Sequence, residues 1–93
     1  MAKVTVRFYA TIREAVGEKQ TEVTAKTIDE VIWRLIEKYG SKFQETIFDK
    51  ETRQIKPFYN ILVNGIRINV REDLKKRVKD GDTIAVFPPV GGG

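Results

Sequence analysis

The stretch TIDEVIWRLIEKYG, residues 27–40, restricts the fold more than any other part of the chain. Thr27 and Glu30 have capping-box spacing: the threonine hydroxyl accepts the N–H three residues on, and the glutamate reaches back. Ile28, Val31, Ile32, Leu35, Ile36 and Tyr39 then recur at helical spacing and form one apolar stripe. Gly40 supplies the stop. The pattern predicts a helix over about 27–39 with a single face to bury, and such a helix needs a sheet to lie on. Trp33 falls off the stripe and is expected to cover the segment that follows.

The flanking sequence supplies the sheet. In VTVRFYA, Val4, Val6 and Phe8 point one way and Thr5, Arg7 and Tyr9 the other, the alternation of a half-buried strand. ATIREAVG loses that period and ends on Gly17, as one helical turn or a loop. KQTEVTAK reads as a second strand in a hairpin with the first. Beyond the helix, Phe43 and Ile47 share a short helix face, with Phe48 as a further anchor, and DKETRQIKP reads as an exposed loop. FYNILV and IRINV are strands on either side of Asn64-Gly65, two residues that tolerate the positive φ of a tight hairpin. REDLKKRVKD is expected to hold a short helical turn with Leu74 and Val78 inward. Asp80-Gly81-Asp82 then turns the chain into TIAVF, the last strand, beside the first. The expected architecture is α+β: a mixed sheet with one principal helix, the β-grasp or ubiquitin-like fold. Residues 1–88 form the domain and 89–93 a flexible tail.

The side chains restrict the chemistry. The chain has no cysteine and no histidine, which removes disulfides, thiolate nucleophiles, imidazole bases and nearly all zinc, copper or haem sites. The expectation is a protein with no bound cofactor that is not catalytic alone. Its net charge is +4. The densest basic cluster, Lys75, Lys76, Arg77 and Lys79, is interleaved with Glu72, Asp73, Asp80 and Asp82, the pattern of a solvated face. Residues 71–80 contain no aromatic for base stacking, so no nucleic-acid partner is expected. No apolar run approaches the ~20 residues of a membrane span. No signal-type block opens the chain. A cytoplasmic protein without a membrane partner is expected.

The chain ends AVFPPVGGG. Pro88 and Pro89 cannot continue a central strand and launch the chain outward in a stiff, extended form. From Pro88 to Gly93 the reach is about 20 Å at ~3.3 Å per residue, enough to enter a partner's active site. Glycines pass a narrow channel because they lack a Cβ. Phe87 lies on the strand face opposite Ile84 and Val86, either as a core residue of a doubly covered sheet or as a partner contact beside the exit. A terminal carboxylate activated by adenylation with ATP can become a thiocarboxylate or be captured by a lysine. Any sulfur the chain carries is expected on Gly93.

FPPV-X-Gly-Gly at the C-terminus, the DGD turn before a short apolar strand, the opening VTVRFYATIREAVG and the central VNG together resemble the small subunit of molybdopterin synthase, the MoaD-like sulfur carriers. The likeness covers roughly residues 1–39 and 59–93. It implies a β-grasp fold and a partnership with the large catalytic subunit of the synthase. It implies an ATP-dependent adenylating enzyme of the ubiquitin-activating type, with a sulfur donor acting through it. The loaded carrier would give its sulfur to the pyranopterin precursor of the molybdenum or tungsten cofactor. By position, the resemblance makes Gly93 the residue adenylated and thiocarboxylated and puts Gly92 and Gly91 in the channel. Arg13, Phe87, Pro88 and Pro89 fall on the partner-binding side. The same C-terminal chemistry serves ubiquitin-like protein modifiers and tRNA-thiolation carriers, which form the alternative reading.

Overall fold

The computed structural model describes residues 1–56 and 59–88. Its elements are β1 (Ala2–Phe8), α1 (Ala10–Val16), β2 (Gln20–Ala25), α2 (Ile28–Tyr39), α3 (Ser41–Ile47), β3 (Asn60–Val63), β4 (Ile66–Arg67) and β5 (Thr83–Phe87). The five strands form one mixed sheet in the order β2-β1-β5-β3-β4. β1 and β5 run parallel, and the other pairs are antiparallel. This is the β-grasp arrangement, with the first and last strands adjacent at the centre.

One face of the sheet is buried. Val4, Val6 and Phe8 of β1, Ile84 and Val86 of β5 and Ile61 of β3 are all at most 2% exposed and form a single core with Val31, Ile32 and Leu35 of α2. Phe43 and Ile47 of α3 enter the same core, as their spacing indicates. Thr27 caps α2 through its hydroxyl, which accepts the Glu30 N–H at 3.2 Å. Glu30 reaches back to the Lys26 N–H at 3.3 Å, one residue before the cap itself. Gly40 links α2 to α3 with φ 76 and ψ −151, a conformation that only glycine adopts without strain. Asn64 and Gly65 both have positive φ, at 52 and 83, as the two-residue hairpin between β3 and β4 requires.

Three segments differ from their sequence patterns. ATIREAV is a seven-residue helix instead of a single turn, buries Ile12 and ends on Gly17. IRINV contributes only Ile66 and Arg67 to the sheet. The ladder ends after Ile68, whose N–H still donates to the Ile61 carbonyl, because the Asn69 N–H turns away to the Asp73 carboxylate at 2.8 Å while the Asn69 side-chain oxygen accepts the N–H groups of Arg71 and Glu72. Residues 70–76 form successive turns instead of a helix, and Arg77 then makes an isolated antiparallel bridge with Thr27. The carbonyls of Leu74 and Lys76 accept the N–H groups of Asp29 and Ile28, at 2.8 and 3.1 Å. These are donors at the start of α2 that have no partner inside their own helix, so the segment caps α2 from outside. Val78 is buried and Leu74 packs against the core, as expected.

Candidate functional site

β5 carries the chain to its exit. Thr83, Ala85 and Phe87 alternate with the buried Ile84 and Val86, which puts Phe87 on the outer face of the sheet. β5 is paired on both sides to its end, Val86 with Phe8 of β1 and Phe87 with Asn60 of β3. The next residue, Pro88, has no N–H to continue either ladder. The chain therefore leaves β5 at the centre of the sheet, between β1 and β3.

The exit is framed by one residue the sequence pattern did not single out. Tyr9 follows β1 and is the N-cap of α1. Its ring stacks on Phe87, with centroids 4.3 Å apart and planes 10° from parallel. Tyr9 makes no side-chain cap, but its carbonyl accepts the N–H groups of Ile12 and Arg13 at 3.2 and 3.4 Å. Ala10 follows at φ 52, uncommon for a residue with a side chain. That reversal sets α1 beside the exit. Two signals could have found Tyr9: it alternates outward with Arg7, and it ends the strand expected beside the one that Phe87 ends.

Arg13 lies on α1 with its side chain exposed. It borders a shallow depression of about 500 Å³ with Ala10, Glu14, Gly17, Glu18 and Lys19. The outer face is otherwise small and mixed: Arg7 opposes Ala85, Thr5 opposes Thr83, and Leu62 of β3 opposes Ala85 from the other side. Ala85, Leu62 and Phe87 are half-buried there. The structure thus brings Tyr9, Phe87, Pro88 and α1 with Arg13 to one end of the domain. Pro89, Gly91, Gly92 and Gly93 lie outside the described residues.

Among the described residues, no three potential ligand side chains come together as a metal site, and no helix is long and apolar enough to cross a membrane. The displaced carboxyl pKa values belong to the framework. Hydrogen bonds from Asn64 and from the Lys79 N–H hold Asp82 below the usual carboxylate range. Backbone N–H groups do the same for Asp49 and Asp73.

Residues 6–93 match the model of the ThiS family. Small archaeal modifier protein 3 of Haloferax volcanii is 35% identical over 91 residues, covering 95% of this chain and 96% of that protein. The solution structure of small archaeal modifier protein 1 from Methanosarcina acetivorans superposes with a TM-score of 0.85 at 35% identity, covering 100% of this chain and 98% of the other. A candidate molybdopterin converting factor, subunit 1, from Pyrococcus furiosus superposes at 0.76 with 27% identity, covering 97% and 100%.

Proposed function

The chain belongs to the ThiS family of ubiquitin-like sulfur carriers, and from that premise we propose that the carboxylate of Gly93 is its reactive group. The observation that carries this reading is the exit of the chain. A doubly paired central strand ends at Phe87, and a proline follows that cannot extend the sheet. The globular body offers no thiolate or imidazole of its own, since cysteine and histidine are absent.

In the first step a carboxylate oxygen attacks the α-phosphate of ATP on an activating enzyme, and pyrophosphate leaves. The acyl adenylate is then open to hydrosulfide released by the sulfur donor: the C–S bond forms, the C–O bond to AMP breaks, the S–H proton is lost to solvent, and Gly93 ends as a thiocarboxylate. ATP is consumed by the partner and not held by this chain. Gly91 and Gly92 serve as the slender lead into the partner's channel, and Phe87, Arg13, Pro88 and Pro89 form the contact beside it. We assign the loaded carrier to molybdopterin synthase, as the small subunit that gives its sulfur to the pyranopterin precursor inside the large subunit. The FPPV-X-Gly-Gly ending and the Pyrococcus furiosus neighbour, named as one subunit of a converting factor, support this.

A second reading rests on the Haloferax volcanii and Methanosarcina acetivorans relatives, both named as modifier proteins. The ε-amine of a target lysine attacks the same adenylated carbonyl, AMP leaves, and an isopeptide bond joins Gly93 to the target. The two readings share activation and differ in the acceptor.

Intact-mass measurement after incubation with the activating enzyme, ATP and a sulfur donor tests the shared step. The expected change is one oxygen replaced by one sulfur at the C-terminus, and an unchanged mass overturns the proposal. Restored pterin synthesis in a strain lacking its synthase small subunit supports the first acceptor. Residues 80–93 of this chain, released by tryptic cleavage after Lys79 and found joined to lysines of other proteins, without such rescue, assign the second.

A further inference from the structure

The helix side of the domain carries a surface feature unrelated to the exit. Trp33 leaves α2 sideways and remains 52% exposed. Its ring lies 6.3 Å from that of Phe48, tilted by 32°. Both rings line a cleft of about 320 Å³, bordered by Glu45 of α3 and by Lys50 and Arg53 of the following loop. Trp33, Phe48 and Arg53 also line an adjoining cleft of about 210 Å³ that runs on to Val70 and Arg71. The shared walls make one elongated groove along the flank of α2.

Its apolar floor has a cationic rim. Asp29, at one end, is paired with Lys75 at 2.8 Å. The carboxylate of Asp49 accepts the N–H groups of Glu51 and Thr52 at 2.8 and 3.2 Å, and Arg71 reaches it only through its longer-range field. Among the described residues, the side chains of Lys50, Arg53 and Arg71 make no hydrogen bond or ion pair. Against these three cations stand two lining carboxylates without an ion-pair partner, those of Glu45 and Asp49, so the rim keeps a net positive charge. Arg53 is also fixed in place. Its N–H donates to the Asp49 carbonyl, the Asp49 N–H donates to that of Gln54, both at 2.8 Å, and Phe48 bridges Ile55 across the loop. Arg53 keeps φ 60 within this closed loop, an uncommon backbone for arginine.

We propose that this groove docks an extended acidic segment of a partner protein. An apolar side chain of the segment seats between Trp33 and Phe48, and its flanking carboxylates meet Arg53, Lys50 and Arg71. Two open clefts that share walls suit a length of chain better than a compact small molecule. A second copy is disfavoured because a two-fold contact would set these cations against themselves. The groove shares no residue with the exit, so the partner is one the domain can hold while its tail is engaged elsewhere. This inference is independent of the acceptor of Gly93.

Trp33 is the only tryptophan and reports directly. The full chain is titrated with the peptide acetyl-Asp-Glu-Leu-Phe-Glu-Asp-amide while Trp33 emission and backbone amide shifts are followed. The expected result is a saturable blue shift, with amide changes confined to 29–33, 44–54 and 70–74. Affinity should fall about tenfold in Arg53→Glu, and again at high salt. Arg71→Glu, which leaves the 49–54 loop untouched, should act in the same direction even if Arg53→Glu fails to fold. The proposal is overturned by no saturable response, by an equal response to a peptide with lysine at each acidic position, or by changes mapping to the outer sheet face. A Trp33 shift that follows protein concentration without peptide would identify a second copy and also overturn it.

Discussion

The rings of Tyr9 and Phe87 stack face to face, 4.3 Å between centroids, at the ends of two adjacent parallel strands. One ring begins α1, and the other precedes the proline at which the chain leaves the sheet. The stack therefore ties the start of α1, the helix that carries Arg13, to the end of β5. Tyr9→Ala should keep the fold, lower stability by about 1 kcal/mol in urea melts and broaden the Phe87 ring signals. Tyr9→Phe keeps the ring and should behave like the native chain. Equal losses in the two variants would mean that the hydroxyl, and not the stack, matters.

Arg13 and Phe87 separate recognition from stability. Arg13 is exposed and makes no ion pair among the described residues, so Arg13→Glu should change stability by less than about 0.5 kcal/mol. The same change should reduce kcat/KM for adenylation by about tenfold, through slower association with the activating enzyme. Phe87→Ala should reduce both quantities. Adenylation kinetics unaffected by Arg13→Glu would remove Arg13 from the partner contact.

Gly40 tests backbone strain without steric contact. A Cβ built there meets no atom within 4 Å, yet φ 76 with ψ −151 disfavours any side chain. Gly40→Ala should therefore cost about 1–3 kcal/mol. The loss should come with faster hydrogen exchange at the junction of α2 and α3. A neutral Gly40→Ala would show that the junction relaxes freely.

Asp82 gives a pH dependence of known sign. The Asn64 side-chain amide donates to its carboxylate at 2.9 Å and the Lys79 N–H at 2.8 Å, which holds its pKa below the ordinary 3.8. A group depressed on folding stabilises above its unfolded pKa, and that stabilisation disappears as pH falls through the folded value. The stability gap between the native chain and Asp82→Asn should thus be full near about pH 7 and close progressively below 3.8. A gap that persists at lower pH would assign the effect to shape instead of charge.

Much of the framework is legible in the residues because its signals are local. The Thr27–Glu30 spacing starts α2, the apolar stripe from Ile28 to Tyr39 orients it, and Asn64-Gly65 closes a hairpin that needs positive φ twice. Alternation in β1 and β5 sorts Val6 from Arg7 and Val86 from Phe87 in the same way. Residues 69–78 defeat local reading because their hydrogen bonds go elsewhere. The carbonyls of Leu74 and Lys76 serve donors of α2 more than forty residues earlier, and the Asn69 N–H, which IRINV would have needed to continue as a strand, donates to the Asp73 carboxylate instead.

The sequence alone determined the elements with a short repeat, the faces they bury and the chemistry open to a chain without cysteine or histidine. Periodicity and residue type act over a few positions, so they survive without knowledge of the fold. Only the tertiary structure decided which distant groups meet: Tyr9 on Phe87, Leu74 and Lys76 on the first turn of α2, and Trp33 beside Phe48 and Arg53. Those contacts depend on strand order and on the loops that carry them. Each becomes favourable only after the core has brought its partners together.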